Sequence, residues 1–300
     1  MARPLALCLP NSVPGVSRES IVGLAARAEQ AGFDSLWTID RLVYDNLEPL
    51  ITLAAAAAVT QRVRLGTSIF LLPLRQPALL AKMVASLDVL SRGRVVLGVG
   101  VGSRESDFIA ADTPYRGRGA RTEEAIALIR RFWTEGAVTH EGRFYQVKEL
   151  DIGPKPLQRP IPFWMGGRAD RALDRVGRIA DGYVGGGGGP RRFREAWPKV
   201  RAAAQRAGRD PDLLRNACLA YVCVDDHLAR AEETMAAYFR RYYGSVIVEV
   251  GQDTAIGPPR ACVEKLQEFY EAGVQIPILV PVRVDEPHLE RVLEIRALLS

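Results

Sequence analysis

Histidine and cysteine are scarce in this chain, at three and four residues in 300. His140, His227 and His288 stand apart from one another and from any cysteine pair, so no metal-site spacing is present. Cys8, Cys218, Cys223 and Cys262 fall singly inside apolar runs, which suits reduced core thiols better than a disulfide framework. No Ser-His-Asp, Cys-His or close carboxylate pair is evident, which argues against hydrolytic and acyl-transfer chemistry. A phosphate loop of the Walker type is missing as well, because no Gly-Lys-Ser or Gly-Lys-Thr occurs.

Long hydrophobic runs are also lacking. The longest strongly apolar stretch, 50–59, is about half of what a membrane-spanning helix needs. The first fifteen residues carry one arginine and a short apolar run that breaks at Pro10 and Pro14 without a small-residue cleavage site, so they are not read as a signal peptide. The expectation is a soluble cytoplasmic protein with no membrane partner.

What is present is the balance of an enzyme-sized domain with a substantial core, 48% hydrophobic and 25% charged. The formal net charge of +5 comes mostly from arginines spread along helices. Solubility is the ordinary reading of such a surface, and neutralisation of a polyanionic cofactor is the alternative; no nucleic-acid partner is expected.

Eight apolar segments read as strands: 4–10, 33–39, 63–71, 95–99, 162–165, 182–185, 217–224 and 276–282. Helical periodicity lies between and after them, at 18–31 (with Ser17 as N-cap and Gly32 as its end), 47–60, 77–90, 122–134, 170–179, 193–207, 228–242, 259–272 and 287–299. Residues 138–147 interrupt the series as a hairpin, and the proline-rich 153–162 is extended loop. Continuous apolar strands alternating with helices indicate an α/β fold with a parallel sheet, and eight such units favour a (β/α)8 TIM barrel over an open doubly wound sheet. No linker divides the chain. A single domain over 1–300 is expected, with insertions at about 103–120, 136–161 and 242–257.

In such a barrel the loops after the strand C-terminal ends bind cofactor and substrate. Asp40-Arg41 follows the second strand, where a carboxylate can orient a ligand or exchange a proton; a helix cap or an ion pair with Arg41 is the bland reading. Gly66-Thr67-Ser68-Ile69 suggests a bulge or a close backbone approach to a flat ligand. Gly98, Gly100 and Gly102 alternate, which clears one face of a strand and does not match the G-x-G-x-x-G dinucleotide fingerprint. Gly166-Gly167-Arg168 precedes a helix and offers amides and charge to phosphate. Gly185 and Gly186 begin a run of five glycines followed by Arg191 and Arg192, which is either a floppy loop or a second part of that phosphate site. A site rich in glycine and poor in nucleophiles suits a cofactor that carries the reaction itself.

These residues resemble the luciferase-like monooxygenase superfamily. The similar stretches are Ala31-Gly32-Phe33-Asp34-Ser35-Leu36-Trp37 leading to Asp40, Arg64-Leu65-Gly66-Thr67 through Leu72-Pro73-Leu74-Arg75, Leu87-Asp88 through Gly93-Arg94-Val95, Leu97-Gly98-Val99-Gly100, Pro162-Phe163-Trp164-Met165-Gly166-Gly167 and Ala180-Asp181-Gly182-Tyr183. The resemblance implies a barrel that binds FMN or the deazaflavin coenzyme F420, with the ring across the strand ends. It implies a bulge with a non-prolyl cis peptide near Ser68-Ile69 behind the ring, phosphate at Gly166 and Gly167, and Asp40 near the reactive face. Many members have a histidine after that aspartate; here Arg41 stands in its place, either on an anionic substrate group or paired with Asp40.

F420 adds a lactyl and oligoglutamate tail to its phosphate, so a mouth with Arg168, Arg191 and Arg192 fits it better than FMN. The expected activity is F420-dependent hydride transfer to or from a small organic substrate. The alternatives are an FMN monooxygenase served by a separate reductase, a flavin-binding barrel without turnover, and a sugar-phosphate lyase or isomerase. Substrate contacts are expected from Tyr44, Phe108, Tyr115 and residues 242–257, and apolar helix faces are compatible with a homodimer.

Overall fold

A computed structural model describes residues 3–299. Met1 and Ala2, which belong to the leader reading above, and Ser300 lie outside the described residues. Eight parallel strands close into a barrel. In chain order they are β1 (Ala6–Cys8), β2 (Ser35–Thr38), β3 (Arg64–Thr67), β5 (Val95–Gly100), β8 (Phe163–Gly166), β9 (Gly182–Gly185), β10 (Arg215–Val224) and β12 (Ile276–Pro281), and β12 pairs back onto β1. Outside this ring, β4 (Phe70–Leu71) and β11 (Ala255–Gly257) add short pairings to β5 and β10, and β6 (Val138–Glu141) pairs antiparallel with β7 (Gln146–Leu150) as the expected hairpin.

Strand alternation divides the core in two. Leu5, Leu7, Leu36, Leu65, Leu97, Phe163, Tyr183 and Leu279 face outward into one apolar layer under the helices. Ala6, Cys8, Trp37, Val96, Trp164, Leu219, Ile278 and Val280 face inward into a second. The strands read as unbroken apolar runs because both faces are covered.

Glycine sets the inward face of the adjoining strands. A Cβ at Gly66 would come within 2.5 Å of the Trp37 ring, and one at Gly182 within 2.7 Å of Trp164, so the two indoles, 5.5 Å apart, occupy the barrel interior over these gaps. On β5, a Cβ at Gly98 would overlap the Thr67 carbonyl oxygen and one at Gly100 the Ile69 side chain. The alternating glycines therefore clear room for the neighbouring strand, with Ile69 lying over Gly100.

The outer helices are α1 (Leu24–Ala31), α2 (Pro49–Val59), α3 (Pro77–Leu90), α4 (Glu105–Ala110), α5 (Arg118–Thr134), α6 (Asp170–Ile179), α7 (Gly189–Arg206), α8 (Leu228–Tyr243), α9 (Pro259–Glu271) and α10 (Glu286–Leu298). Ser17 does cap the first helical turn, its Oγ accepting from the Ser20 N–H at 3.2 Å, and Gly32 ends α1 with φ +88°. The segment 103–120, expected as an insertion, holds α4 and the first residues of α5. One expectation is corrected and one alternative decided. The strand read over 63–71 breaks after Thr67, where the Ser68–Ile69 peptide is cis, and resumes as β4. The glycine run is not loose loop, because Gly188 (φ +118°) and Gly189 (φ +60°) turn the chain directly into α7, with Pro190 in its first turn.

Candidate functional site

At the C-terminal mouth of the barrel lies a cavity of about 440 Å³. Its wall takes Ile39 and Asp40 from just past β2, Ser68 and Ile69 from the cis peptide, Gly102 after β5, Gly166 at the end of β8 with Gly167 and Arg168 after it, and Gly186 after β9. Residues distant in sequence thus meet at one place because parallel strands all end on the same face.

Asp40 is buried on this wall. Its Oδ2 accepts from the Leu71 N–H at 2.8 Å and meets Arg75 Nη1 at 2.7 Å, while Oδ1 accepts from Arg75 Nη2 at 3.1 Å. Burial pushes the Asp40 carboxyl above the usual carboxylate range, against the pull of Arg75 and the Leu71 amide. The same burial raises Glu48, which also feels the Asp40 charge.

Arg41 does not pair with Asp40. Its guanidinium donates to the carbonyl oxygens of Tyr242 (2.5 Å) and Val43 (3.1 Å) and lies over the rings of Tyr44 and Tyr242, outside the cavity wall. Successive residues leaving a strand point to opposite sides, so only one of the two can face the mouth. Thr67 is also turned away, its hydroxyl donating to the Gly98 carbonyl at 2.7 Å, and Gly100 is covered by Ile69.

Two helix starts lie beside the glycines at the other end of the wall. Ala169 before α6 and Gly188 before α7 supply no side-chain cap, so first-turn amides remain for an anion. Here a second cavity of about 360 Å³ adjoins the first, sharing Arg168, Gly186 and Gly187 with it. Gly185, Arg192, Glu195 and Lys199 line this second space. Arg191 does not: its guanidinium meets Glu249 and Asp253, each at 3.4 Å, because the helical turn carries it to the other side of α7. The expected three-arginine mouth is instead Arg168, Arg192 and Lys199, with Lys199 held by Asp170 at 2.7 Å.

A model of the family described as luciferase-like monooxygenase matches residues 7–250. The chain belongs to the luciferase-like monooxygenase family. Within it, the F420-dependent glucose-6-phosphate dehydrogenase of Nakamurella multipartita is 31% identical over 255 residues, 80% of this chain and 72% of that one. A solved F420-dependent secondary alcohol dehydrogenase, in complex with an F420-acetone adduct, superposes over the full length of both chains with a TM-score of 0.88 at 20% identity. The oxygenating constituent of 3,6-diketocamphane monooxygenase from Pseudomonas putida, in complex with FMN, superposes with a TM-score of 0.76 at 20% identity over 100% of this chain and 97% of that one.

Several residues on the cavity wall, or bonded to it from behind, were not singled out as site residues from sequence. Arg75 closes the ion pair with Asp40 from 35 residues away. Asp107 and Arg104, on α4 and just before it, and Arg118 at the start of α5 line the wall, as do Tyr242 and Tyr243 at the end of α8. Tyr242 and Tyr243 both lie inside the segment 242–257 expected to touch substrate, though neither was singled out within it. Of the other expected substrate contacts, Phe108 is buried against Gly102 and Tyr115 lies under Arg118, at 3.8 Å.

Proposed function

We propose that this chain is an F420-dependent oxidoreductase that transfers hydride to or from a small organic substrate. The observation that carries this reading is the continuity of the two cavities through Arg168, Gly186 and Gly187. In this reading one phosphate would meet the amides at the start of α6, and the second space, lined by Arg192 and Lys199 together with Glu195, would take the tail of a longer anionic cofactor.

The residues fit that group. Gly186 borders open space, with no atom of the described residues other than its chain neighbours within 4 Å of where its Cβ would stand, so backbone can lie against a ligand there. Ile69, half exposed beside the cis peptide, offers an apolar ledge for a planar ring, and Gly166 and Gly167 with Arg168 would hold the phosphate. Gly185, Arg192 and Lys199 would flank the tail. F420, when bound, supplies a deazaflavin carbon that accepts or returns hydride.

Asp40 supplies the proton function in this proposal. Its raised pKa suits a carboxyl that exchanges a proton with a substrate oxygen at the cavity wall, while Arg75 and the Leu71 amide hold it in place. Arg41 falls outside this role because its guanidinium is committed to Tyr242 and Val43. The proposal further takes residues 1–300 as one barrel domain and assigns a separate oxidoreductase to restore the cofactor between turnovers. Titrating the protein with F420 and with FMN, followed by absorbance, tests the reading: F420 binds in preference, whereas tight FMN binding without F420 affinity contradicts it.

A further inference from the structure

Arg104 and Arg118 both line the large cavity, and neither has a carboxylate partner among the described residues. Backbone and rings hold them instead. Arg104 donates to the Tyr242 carbonyl at 3.3 Å and lies 5.3 Å from the rings of both Tyr242 and Tyr243. Arg118 donates to the carbonyls of Gly102 (3.0 Å) and Tyr115 (3.2 Å). A guanidinium carries five N–H donors, so each side chain is oriented with donors to spare.

Charge accumulates at this place. Arg41 donates to the same Tyr242 carbonyl as Arg104, so two like charges converge on the C-terminus of α8. The helix dipole and the tyrosine rings offset part of that repulsion. Asp107 is the carboxylate on this part of the wall, and its Oδ1 is taken by the Val43 N–H at 2.8 Å. Neither Arg104 nor Arg118 lines the second cavity, so the proposed tail site leaves them unused.

We infer that Arg104 and Arg118 form an anion-binding subsite for the substrate, so that the substrate carries a carboxylate or a phosphate group. The inference rests on the cofactor reading above for which part of the cavity remains to the substrate. An anion there bonds to both guanidinium groups and relieves the repulsion between Arg41 and Arg104. The apolar residues Ile39, Leu71 and Leu219 of the same wall would face the remainder of the molecule.

Calorimetric titration with benzoate, phenyl phosphate and neutral benzamide tests this, using the protein alone and the protein saturated with F420. Both anions are expected to bind about tenfold or more tightly than benzamide in each form. Arg104→Gln and Arg118→Gln each weaken anion binding about tenfold and leave benzamide and F420 affinities unchanged. Arg168→Gln weakens F420 binding and leaves anion binding to the F420-saturated protein unchanged. Circular dichroism verifies the fold, and should Arg104→Gln fail to fold, Arg118→Gln and Arg104→Lys decide, the latter retaining charge and part of the affinity. Anions that bind no better than benzamide overturn the inference, as does anion binding lost in Arg168→Gln but kept in Arg104→Gln. If F420 does not bind, the cofactor reading fails, and the titrations of the protein alone still decide the anion subsite.

Discussion

Asp40 and Arg75 share two contacts, 2.7 Å between Oδ2 and Nη1 and 3.1 Å between Oδ1 and Nη2, with the carboxylate buried and the arginine side chain partly exposed. Removing the cation leaves a desolvated carboxylate without a counter-charge. Arg75→Gln is therefore expected to lower stability by about 2 kcal/mol at pH 7. Burial already raises the Asp40 pKa, and loss of Arg75 raises it further. On acidification Asp40 takes up a proton, so the deficit relative to the parent shrinks between pH 7 and pH 4. Urea denaturation of both proteins at the two pH values checks this; a deficit that stays constant refutes it.

Gly98 and Gly186 predict opposite outcomes for the same substitution. A methyl at Gly98 would overlap the Thr67 carbonyl, so Gly98→Ala should cost about 3 kcal/mol or more and lower the melting temperature sharply. Gly186→Ala meets no atom within 4 Å and should melt like the parent, while binding F420 more weakly because its methyl intrudes on the cavity. Thermal melts with a cofactor titration separate the two.

His288 gives stability a pH dependence unrelated to the site. It is buried, its Nε2 accepts from the Val224 N–H at 3.1 Å, and desolvation lowers its pKa to about 4. A histidine depressed in the fold stays neutral there while the unfolded chain protonates, so its contribution is complete above about pH 6.5 and is lost as pH falls toward 4. The full loss is about 3 kcal/mol. His288→Gln keeps an acceptor and removes the titration, and its stability should fall less steeply over that interval when denaturation midpoints are compared.

Arg168 and Arg192 should contribute to cofactor affinity through charge. Arg168→Gln and Arg192→Gln are expected to weaken F420 binding about tenfold at low salt, with a smaller effect at high ionic strength, and to alter FMN affinity less in the case of Arg192. Arg191→Gln, whose charge is spent on Glu249 and Asp253, should leave F420 binding unchanged. Fluorescence titrations at two salt concentrations measure all three.

The barrel was legible because strands covered on both faces leave apolar runs that no amphipathic helix imitates. The alternation of Gly98 and Gly100 showed that one strand face was emptied, but what fills it, the Thr67 carbonyl and Ile69, depends on the register between β3 and β5. Asp40 was found at a strand end, and of the two readings for Arg41 the pairing with Asp40 fails: the partner is Arg75, brought near by β4 and the turn after it. The start of α7 was missed because five glycines look like loop, and only the positive φ of Gly188 and Gly189 turns them into a helix entry. Arg104 and Arg118 escaped notice because no strand end marks them; they reach the mouth through α4 and α5.

A crystal structure of the F420 complex tests the central claim most directly. The ring is expected against Ile69 and Ser68, the phosphate at the first turn of α6 beside Gly166 and Gly167, and the tail between Arg168 and Arg192. A deazaflavin bound away from the cis peptide, or a tail that leaves the cavity between α6 and α7 empty, would contradict the account.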